Sequence, residues 1–214
     1  MASKDYRTLS KFHLPTIFKC MKNTLKVLFV LILLSYSQII KGQSTPIVLV
    51  AYYSPTGKTQ EMAEAVAKGA ASKEVEVILL DIKDITEAEL LQADAIILGS
   101  PVYNANVAPP VLEFINVWPF EGRPFKNKVG AAFTTGGGFS IGEEIVMLNI
   151  LQSMLIHGMV VIGGEETEAA FGASAITGEG DFLGKPVHEL FLKKAEGLGK
   201  RVAEWAIKSK SFPR

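Results

Sequence analysis

Short apolar runs alternate with stretches of helical periodicity along most of the chain, and this alternation constrains the fold more than any other sequence feature. Five runs rich in β-branched residues predict strands, at residues 47–53, 75–81, 95–100, 129–134 and 159–162. Strands that are apolar on both faces are typical of a parallel sheet covered by helices on both sides. The alternation with helices is the pattern of βαβ units.

Four stretches predict helices, at residues 61–71, 109–117, 141–157 and 186–208, and Gly158 follows the third as a C-terminal cap. Residues 163–185 are left as a long loop. Five strands with interleaved helices fit the doubly wound order 2-1-3-4-5 better than a larger six-stranded dinucleotide fold. We therefore predict an α/β fold with a five-stranded parallel sheet in that order.

The first 42 residues differ from the rest of the chain in charge and pattern. They hold seven of the 22 basic side chains and one of the 22 acidic ones, and an apolar run is centred on residues 27–34. A bilayer-spanning helix needs roughly 20 mostly apolar residues, and Ser35 interrupts this run too early. We predict a signal peptide at residues 1–42 and export to the periplasm or the exterior. There are two alternatives: residues 1–42 anchor the protein in a membrane, or they are not a signal and the protein is cytoplasmic.

Residues 43–214 are predicted to form one domain, with 15 basic and 21 acidic side chains and a net charge of −6. Sequence-independent binding to nucleic acid requires a dense positive face, so we expect no nucleic-acid partner. The single cysteine, Cys20, excludes a disulfide framework and a thiolate metal site. The three histidines have no metal-ligand spacing, and we predict no metal site.

The turn after the first predicted strand is rich in hydroxyl groups and leads into a helix. It consists of Ser54, Pro55, Thr56, Gly57, Lys58 and Thr59. Its hydroxyls and the N–H groups of a helix N-terminus favour a phosphate dianion. The end of the turn matches a Walker A loop, but that motif requires glycine where this chain has Tyr52. An ordinary turn capped by serine and threonine is the alternative.

Two further turns follow the third and fourth predicted strands, at the same edge of the sheet. The first of them holds Pro101, Val102, Tyr103 and Asn104. Tyr103 is predicted either to flank a flat ring or to pack in the core on Trp118 or Phe120. The second holds Thr134, Thr135, Gly136, Gly137 and Gly138, whose glycines let backbone N–H groups approach a planar heterocycle. The three turns together predict a ligand site near the switch point of the sheet.

In this order, the motifs resemble those of the flavodoxin-like superfamily, and in particular the WrbA-type NAD(P)H:quinone oxidoreductases. The resemblance covers about residues 47–208. Residues 54–59 are similar to the phosphate loop of flavodoxins. Four segments are similar to the WrbA type: Gly99-Ser100-Pro101, the TTGGG segment, His157-Gly158-Met159 and Phe171-Gly172-Ala173-Ser174.

The resemblance implies FMN as the cofactor, NAD(P)H as the electron donor and a quinone as the acceptor. It implies that residues 54–59 hold the FMN phosphate, that residues 101–104 line the ring and that residues 134–138 contact its pyrimidine edge. His157 would lie near the flavin, and the family's substrate-contacting tryptophan corresponds to Trp118 or to Phe120. It also implies a homo-oligomer, a dimer or a tetramer. No side chain is singled out as a general acid, base or nucleophile, so the cofactor must supply the redox chemistry.

Two other readings stay open. A flavodoxin-type electron carrier would use the same FMN site without a substrate pocket and would act on a redox partner protein. A hydrolase is the remote alternative, because Gly138-Phe139-Ser140-Ile141-Gly142 matches the G-x-S-x-G nucleophile motif. Asp181 and His188 follow Ser140 in the order that such a triad requires.

Overall fold

The computed structural model describes residues 44–165 and 169–210, together with Lys26, Leu28 and Phe29. The chain divides into two compact units, Met1–Ser44 and Thr45–Arg214. In the first unit Lys26, Leu28 and Phe29 are helical and exposed, and the rest of the predicted signal or anchor segment lies outside the described residues. Within the part of the chain that the structure describes, no helix has the length and apolar character needed to cross a membrane.

The second unit contains one sheet of seven strands. They are β1 (Ile47–Tyr52), β2 (Glu76–Asp81), β3 (Ala95–Tyr103), β4 (Asn106–Val107), β5 (Val129–Gly136), β6 (Val160–Val161) and β7 (Ala173–Ile176). Their order is β2-β1-β3-β5-β6, with β4 antiparallel to β3 and β7 parallel to β5. The predicted order of the five parallel strands is therefore confirmed. The predicted number of strands is wrong, because the sheet has seven.

The predicted fifth strand, at residues 159–162, is the short β6, and a further strand, β7, pairs with the same neighbour, β5. β6 pairs only with Val129 and Gly130 at the start of β5, and β7 pairs with residues 133–136 at its end. β7 lies within residues 163–185, which the sequence pattern leaves as a loop. Its four residues are too few for their alternation of buried and half-buried positions to stand out in the sequence.

Among the described residues of the second unit, five α-helices connect and cover the strands. They are α1 (Lys58–Ala71), α2 (Glu87–Gln92), α3 (Pro109–Asn116), α4 (Glu143–Ile156) and α5 (Glu189–Ser209). All but α2 are predicted by the sequence. α2 has six residues, and a capping box fixes its start: the Thr86 N–H donates to Glu89 Oε2 at 2.6 Å, and the Glu89 N–H donates to Thr86 Oγ1 at 3.4 Å.

Gly158 ends α4 as predicted. Its φ of +83° is left-handed, and its N–H donates to the Leu155 carbonyl at 2.9 Å. The Met159 N–H donates to the Met154 carbonyl at 3.1 Å, which completes a Schellman motif.

The helices form one layer on each face of the sheet. α1 and α5 pack on the face that Val48, Val50 and Ile97 present, whereas α2, α3 and α4 pack on the face of Leu49 and Ile96. Alternate residues of one strand point to opposite faces, which explains why both sets of side chains are buried. α1 and α5 cross closely, because a Cβ at Gly69 or at Gly199 would overlap a carbonyl oxygen of the other helix.

Lys210, the last described residue of the second unit, contacts both Asp94 and Thr45. Lys210 Nζ lies 3.1 Å from Asp94 Oδ2, which also accepts the Ile47 N–H at 2.9 Å. Lys210 Nζ donates to the Thr45 carbonyl at 3.2 Å. The start of β1, the residue before β3 and the end of the last helix therefore meet at the amino edge of the sheet.

Candidate functional site

The register of the sheet brings the three predicted turns together at its carboxyl edge. Tyr52 at the end of β1 pairs with Gly99 of β3, and Gly99 pairs with Phe133 of β5. The turns after β1 and β5 and the end of β3 are therefore neighbours. The chain order reverses between β1 and β3, so this edge is the switch point where doubly wound sheets bind ligands.

The turn after β1 presents backbone donors at the start of α1. Gly57 is the N-cap of α1 with a left-handed φ of +84°, and the Gln60 N–H donates to Ser54 Oγ at 3.0 Å. The N–H groups of Gly57, Lys58 and Thr59 belong to the first turn and have no acceptor within the helix. A Cβ at Gly57 would meet no atom within 4 Å. This open end of α1 is suited to an anion.

Side chains of the same turn tie it to its neighbours. The Thr59 side chain is buried, and its Oγ1 lies 2.8 Å from Thr135 Oγ1 at the end of β5. Lys58 Nζ lies 2.8 Å from Glu61 Oε1. Pro55 and Thr56 are exposed at the tip of the turn. The predicted phosphate turn is thus anchored to β5 while its tip stays open.

The residues after β3 form a hairpin rather than an open loop. Pro101, Val102 and Tyr103 are the last residues of β3, and Asn104 and Ala105 form the two-residue turn into β4. The φ values at this turn are +50° and +59°, as a type I′ turn requires.

Tyr103 stands at the end of this hairpin strand. It is 40% exposed, and within the described residues it makes no close ring contact with Trp118 or Phe120. It lies beside Tyr53: partial burial and the interaction with Tyr103 raise the pKa of Tyr53. The alternative that Tyr103 packs in the core on Trp118 or Phe120 is therefore wrong, and its place beside a flat ring stays a prediction. Tyr53 is a neighbour that no pattern in the sequence indicates.

Only part of the predicted glycine turn is free to face a ligand. Thr134, Thr135 and Gly136 end β5 and are buried, and Thr134 Oγ1 donates to the Ser100 carbonyl at 2.6 Å. Gly137 is exposed, and a Cβ there would meet no atom within 4 Å. The two threonine hydroxyls therefore hold the sheet and the phosphate turn together, and Gly137 is the open position.

Glu179 supports the glycine turn from a distant part of the chain. Its Oε2 accepts the Phe139 N–H at 2.8 Å and lies 2.6 Å from where a Cβ at Gly138 would stand. No local pattern in the sequence links Glu179 to this turn.

Glu143 closes the start of α4. Its Oε2 accepts the N–H groups of Ile141 and Gly142 at 3.1 Å each, and its side chain is buried. This helix N-terminus is therefore filled by its own carboxylate. A Cβ at Gly142 would lie 2.7 Å from the Cβ of Ala105, so the glycine turn packs directly on the hairpin turn.

The structure does not bring His157, Trp118 and Phe120 together with the three turns in one chain. α4 runs opposite to the strands and ends beside the start of β5, so His157 lies near the amino edge, and Trp118 and Phe120 contact it there. The ring of His157 is 5.5 Å from Trp118, 5.2 Å from Phe120 and 5.4 Å from Phe125. Burial lowers the pKa of His157. Trp118 Nε1 is buried there without a hydrogen-bond partner among the described residues.

The hydrolase triad is not assembled. Ser140 is exposed with a left-handed φ of +56°. His188 is the N-cap of α5, and its Nδ1 accepts the Leu190 N–H at 3.2 Å. No hydrogen bond among the described residues joins Ser140 to His188 or Asp181. Between residues 44 and 210, outside the undescribed 166–168, no cluster of three His, Cys, Asp or Glu side chains would hold a metal ion.

Comparison with known proteins gives a family profile and several relatives. The profile of the family described as NADPH-dependent FMN reductase matches residues 86–173. A flavodoxin of Aquifex aeolicus is 31% identical in an alignment of 169 residues that covers 74% of this chain and 85% of that flavodoxin. Two proteins named NAD(P)H dehydrogenase (quinone), from Archaeoglobus fulgidus and Sinorhizobium fredii, are 30% and 33% identical, and each alignment covers 75% of this chain and 97% of the relative.

Solved structures share the fold. A flavodoxin, WrbA-like protein from Agrobacterium tumefaciens superposes with a TM-score of 0.63 at 24% identity, covering 78% of this chain and 99% of that one. A flavodoxin from the domain Archaea superposes with a TM-score of 0.61 at 25% identity, covering 75% and 99%.

Proposed function

This chain belongs to the flavodoxin-like, WrbA-type superfamily, and from that membership we propose that it is an FMN-dependent enzyme that reduces quinones with two electrons from NAD(P)H. The FMN-dependent oxidoreductase class follows from the family profile and from relatives of 30% identity or more. The names of those relatives support NAD(P)H as the donor and a quinone as the acceptor.

The residues at the carboxyl edge fit FMN. A phosphate monoester needs several converging donors, and the turn after β1 has the free N–H groups of Gly57, Lys58 and Thr59 and the exposed Thr56 hydroxyl. A flat ring needs neighbouring backbone without side chains, and the position of Gly137 is open. The observation that carries the proposal is that this anion cradle, Tyr103 and the glycine turn are neighbours on one edge.

Each part of the chain has a separate task in this mechanism. When bound, FMN supplies the two-electron redox chemistry that the side chains lack. The start of α1 would hold the phosphate, and the Thr59–Thr135 hydrogen bond of 2.8 Å fixes that helix against β5. Tyr103 would flank the ring, and N–H groups of the glycine turn would stabilise negative charge on its pyrimidine edge. We assign no general acid or base.

The proposal is tested on purified protein titrated with FMN. We expect the visible absorption bands of bound oxidised flavin, and anaerobic oxidation of NADH or NADPH in catalytic amounts only when a quinone is added. Properly folded protein that stays colourless with added FMN would contradict the cofactor assignment. Colour without oxidation of either nucleotide would contradict the enzymatic one.

A flavodoxin-type electron carrier is the second candidate, and the 31% identity to a flavodoxin favours it. A carrier would bind FMN but would need a reductase protein to become reduced. The anaerobic assay separates the two, because only the enzyme accepts electrons from the nucleotide directly. Export would favour the carrier, since nicotinamide nucleotides are not expected outside the cytoplasm.

Export and self-association are also proposals. The apolar run and basic charge of residues 1–42 support export, and N-terminal sequencing of the protein from fractionated cells tests it. The outer face of α4 supports a homo-oligomer, a dimer or a tetramer. Its residues Ile145, Leu148, Leu155 and Ile156 are between 37% and 64% exposed.

A further inference from the structure

A cleft of 540 Å³ lies beside the phosphate turn, on the face of the sheet that carries α3. Its walls include Tyr53, Ser54 and Pro55 from the turn after β1, Asp81 at the end of β2, and Glu113 and Phe114 from α3. Ser54 and Pro55 also belong to the phosphate turn. The cleft therefore adjoins the site for the cofactor phosphate, but no part of the FMN mechanism above uses it.

The walls of this cleft combine flat apolar surface with hydrogen-bond acceptors. Tyr53 and Phe114 contribute aromatic rings and Pro55 and Pro110 contribute aliphatic ones, which suits a flat heteroaromatic base. The carboxylates of Asp81 and Glu113 accept hydrogen bonds and donate none. A carboxylate at the end of the second strand is the group that holds a ribose diol in other doubly wound sheets. A heteroaromatic base joined to a ribose would place its ring on the apolar surface and its hydroxyl groups on the carboxylates.

The charge around the cleft is negative. The pKa of the adjacent Tyr52 is raised by burial and then by the carboxylates of Asp81, Glu64 and Asp84, and only Lys83 opposes them. Lys83 also lines the cleft, with its Nζ 3.7 Å from Asp81 Oδ2, so the charged walls hold two carboxylates and one ammonium group. The Lys83 side chain is 73% exposed, and water screens its charge. Vicinal hydroxyls would bind here as donors, whereas a phosphate dianion would be repelled.

We propose that this cleft binds the adenosine half of the nicotinamide donor and that Asp81 and Glu113 select NADH over NADPH. The two donors differ only by a phosphate on the adenosine ribose, and that position meets the carboxylates. The inference rests on the proposed function for the identity of the donor. It goes beyond family membership, since the matching family is described as NADPH-dependent.

Binding of two donor fragments tests the cleft without any turnover. The full-length, FMN-loaded protein is titrated in a calorimeter with ADP-ribose and with its 2′-phosphorylated form, neither of which carries a nicotinamide. We expect ADP-ribose to bind at least about tenfold more tightly, as a charge placed against two carboxylates requires. Equal affinities, or tighter binding of the 2′-phosphorylated form, would overturn the assignment.

Two variants test the carboxylates, and a third serves as the control. Glu113→Gln and Asp81→Asn each remove a negative charge at constant size. In the parent protein the Lys83 backbone N–H donates to Asp81 Oδ1 at 3.1 Å, and the amide oxygen in Asp81→Asn can still accept that hydrogen bond. Each is expected to lower the preference for ADP-ribose by about three- to tenfold. Glu121→Gln removes an exposed carboxylate outside the cleft and should leave the preference unchanged. An unchanged preference in both cleft variants would refute the proposal.

Rapid mixing with NADH and NADPH separates this inference from the proposed function. Faster bleaching of the flavin by NADH, with the difference reduced in Glu113→Gln, supports both. Faster bleaching by NADPH refutes the selectivity and leaves the enzyme assignment intact. If neither nucleotide bleaches the flavin but ADP-ribose binds as expected, the enzyme assignment fails and the donor loses its identity, and only the binding of an adenosine ribose at the cleft is retained.

Discussion

At the scale of single residues, two glycines share a backbone conformation but differ in position. Gly57 has a φ of +84° and Gly122 a φ of +72°, and a Cβ at either would meet no atom within 4 Å. Gly57 starts α1 in the phosphate turn, whereas Gly122 follows α3 at the other edge of the sheet. Comparing substitutions at the two positions therefore distinguishes a loss of stability caused by left-handed strain from a loss of FMN binding.

Replacing these glycines with alanine tests the cradle. Gly57→Ala and Gly122→Ala should each lower the free energy of unfolding by about 1–2 kcal/mol, because alanine is strained in the left-handed region. Only Gly57→Ala should weaken FMN binding, by about tenfold, since its methyl group enters the space beside the phosphate donors. Flavin fluorescence titration and urea unfolding measure the two effects. Equal FMN affinity in the two variants would place the phosphate elsewhere.

His157 gives a pH dependence at the same scale. Burial lowers its native pKa below the ordinary value of 6.5, whereas the unfolded chain titrates near that value. Between the two pKa values the unfolded state binds more protons, so the free energy of unfolding rises with pH. This contribution is complete above about pH 6.5 and is lost as the pH falls through the native pKa.

Urea unfolding between about pH 5 and about pH 7.5 measures this dependence. His157→Phe should flatten the curve in that range while keeping an aromatic ring beside Trp118 and Phe125. A variant whose stability falls with acid as steeply as that of the parent protein would show that other groups carry the dependence.

At the scale of elements, the crossing of α1 and α5 depends on glycine at the point of contact. A Cβ at Gly199 would overlap the Val66 carbonyl oxygen, whereas a Cβ at Gly197 on the same helix would meet no atom within 4 Å. Gly199→Ala should therefore lower the free energy of unfolding by about 1–3 kcal/mol or more through overpacking. Gly197→Ala should raise it by up to about 1 kcal/mol from helix propensity. Thermal unfolding of both variants checks the difference, and equal shifts would contradict the close crossing.

Elements with long apolar or periodic patterns are predictable from this sequence, and the short ones are not. The sequence predicts two of the central strands within a few residues, at 47–53 and 129–134, because burial on both faces of a strand leaves a strong apolar signal. It also predicts the long helix at 141–157, which is rich in apolar residues. α2 and β7 have six and four residues, and tertiary pairing rather than local pattern determines them. The candidate site likewise has parts that the sequence pattern predicts and parts that depend on tertiary contacts.

The three turns were predictable from strand order, since the carboxyl ends of parallel strands share one edge. The positions of His157 and Trp118 follow from helix direction, which a resemblance in motifs does not include. The support that Glu179 gives to Phe139 joins residues 40 positions apart and has no sequence signal.

At the scale of the whole molecule, α4 has an apolar surface that the described chain leaves uncovered. A helix that is apolar on all sides is usually buried, yet Leu155 and Ile156 are exposed. Leu155→Glu should shift the protein from a dimer or tetramer to a monomer, because a buried unpaired carboxylate opposes association. Light scattering after size-exclusion chromatography measures the mass. Leu91→Glu, a comparable change on α2, is the control, and a parent protein that is already monomeric would refute the proposal.

The ion pair between Lys210 and Asp94 determines how this domain can be attached to anything else. Thr45 and Lys210 lie side by side at the edge opposite the phosphate turn. A surface tether joined directly to Thr45 or to Lys210 would therefore leave the open end of α1 on the side away from its support.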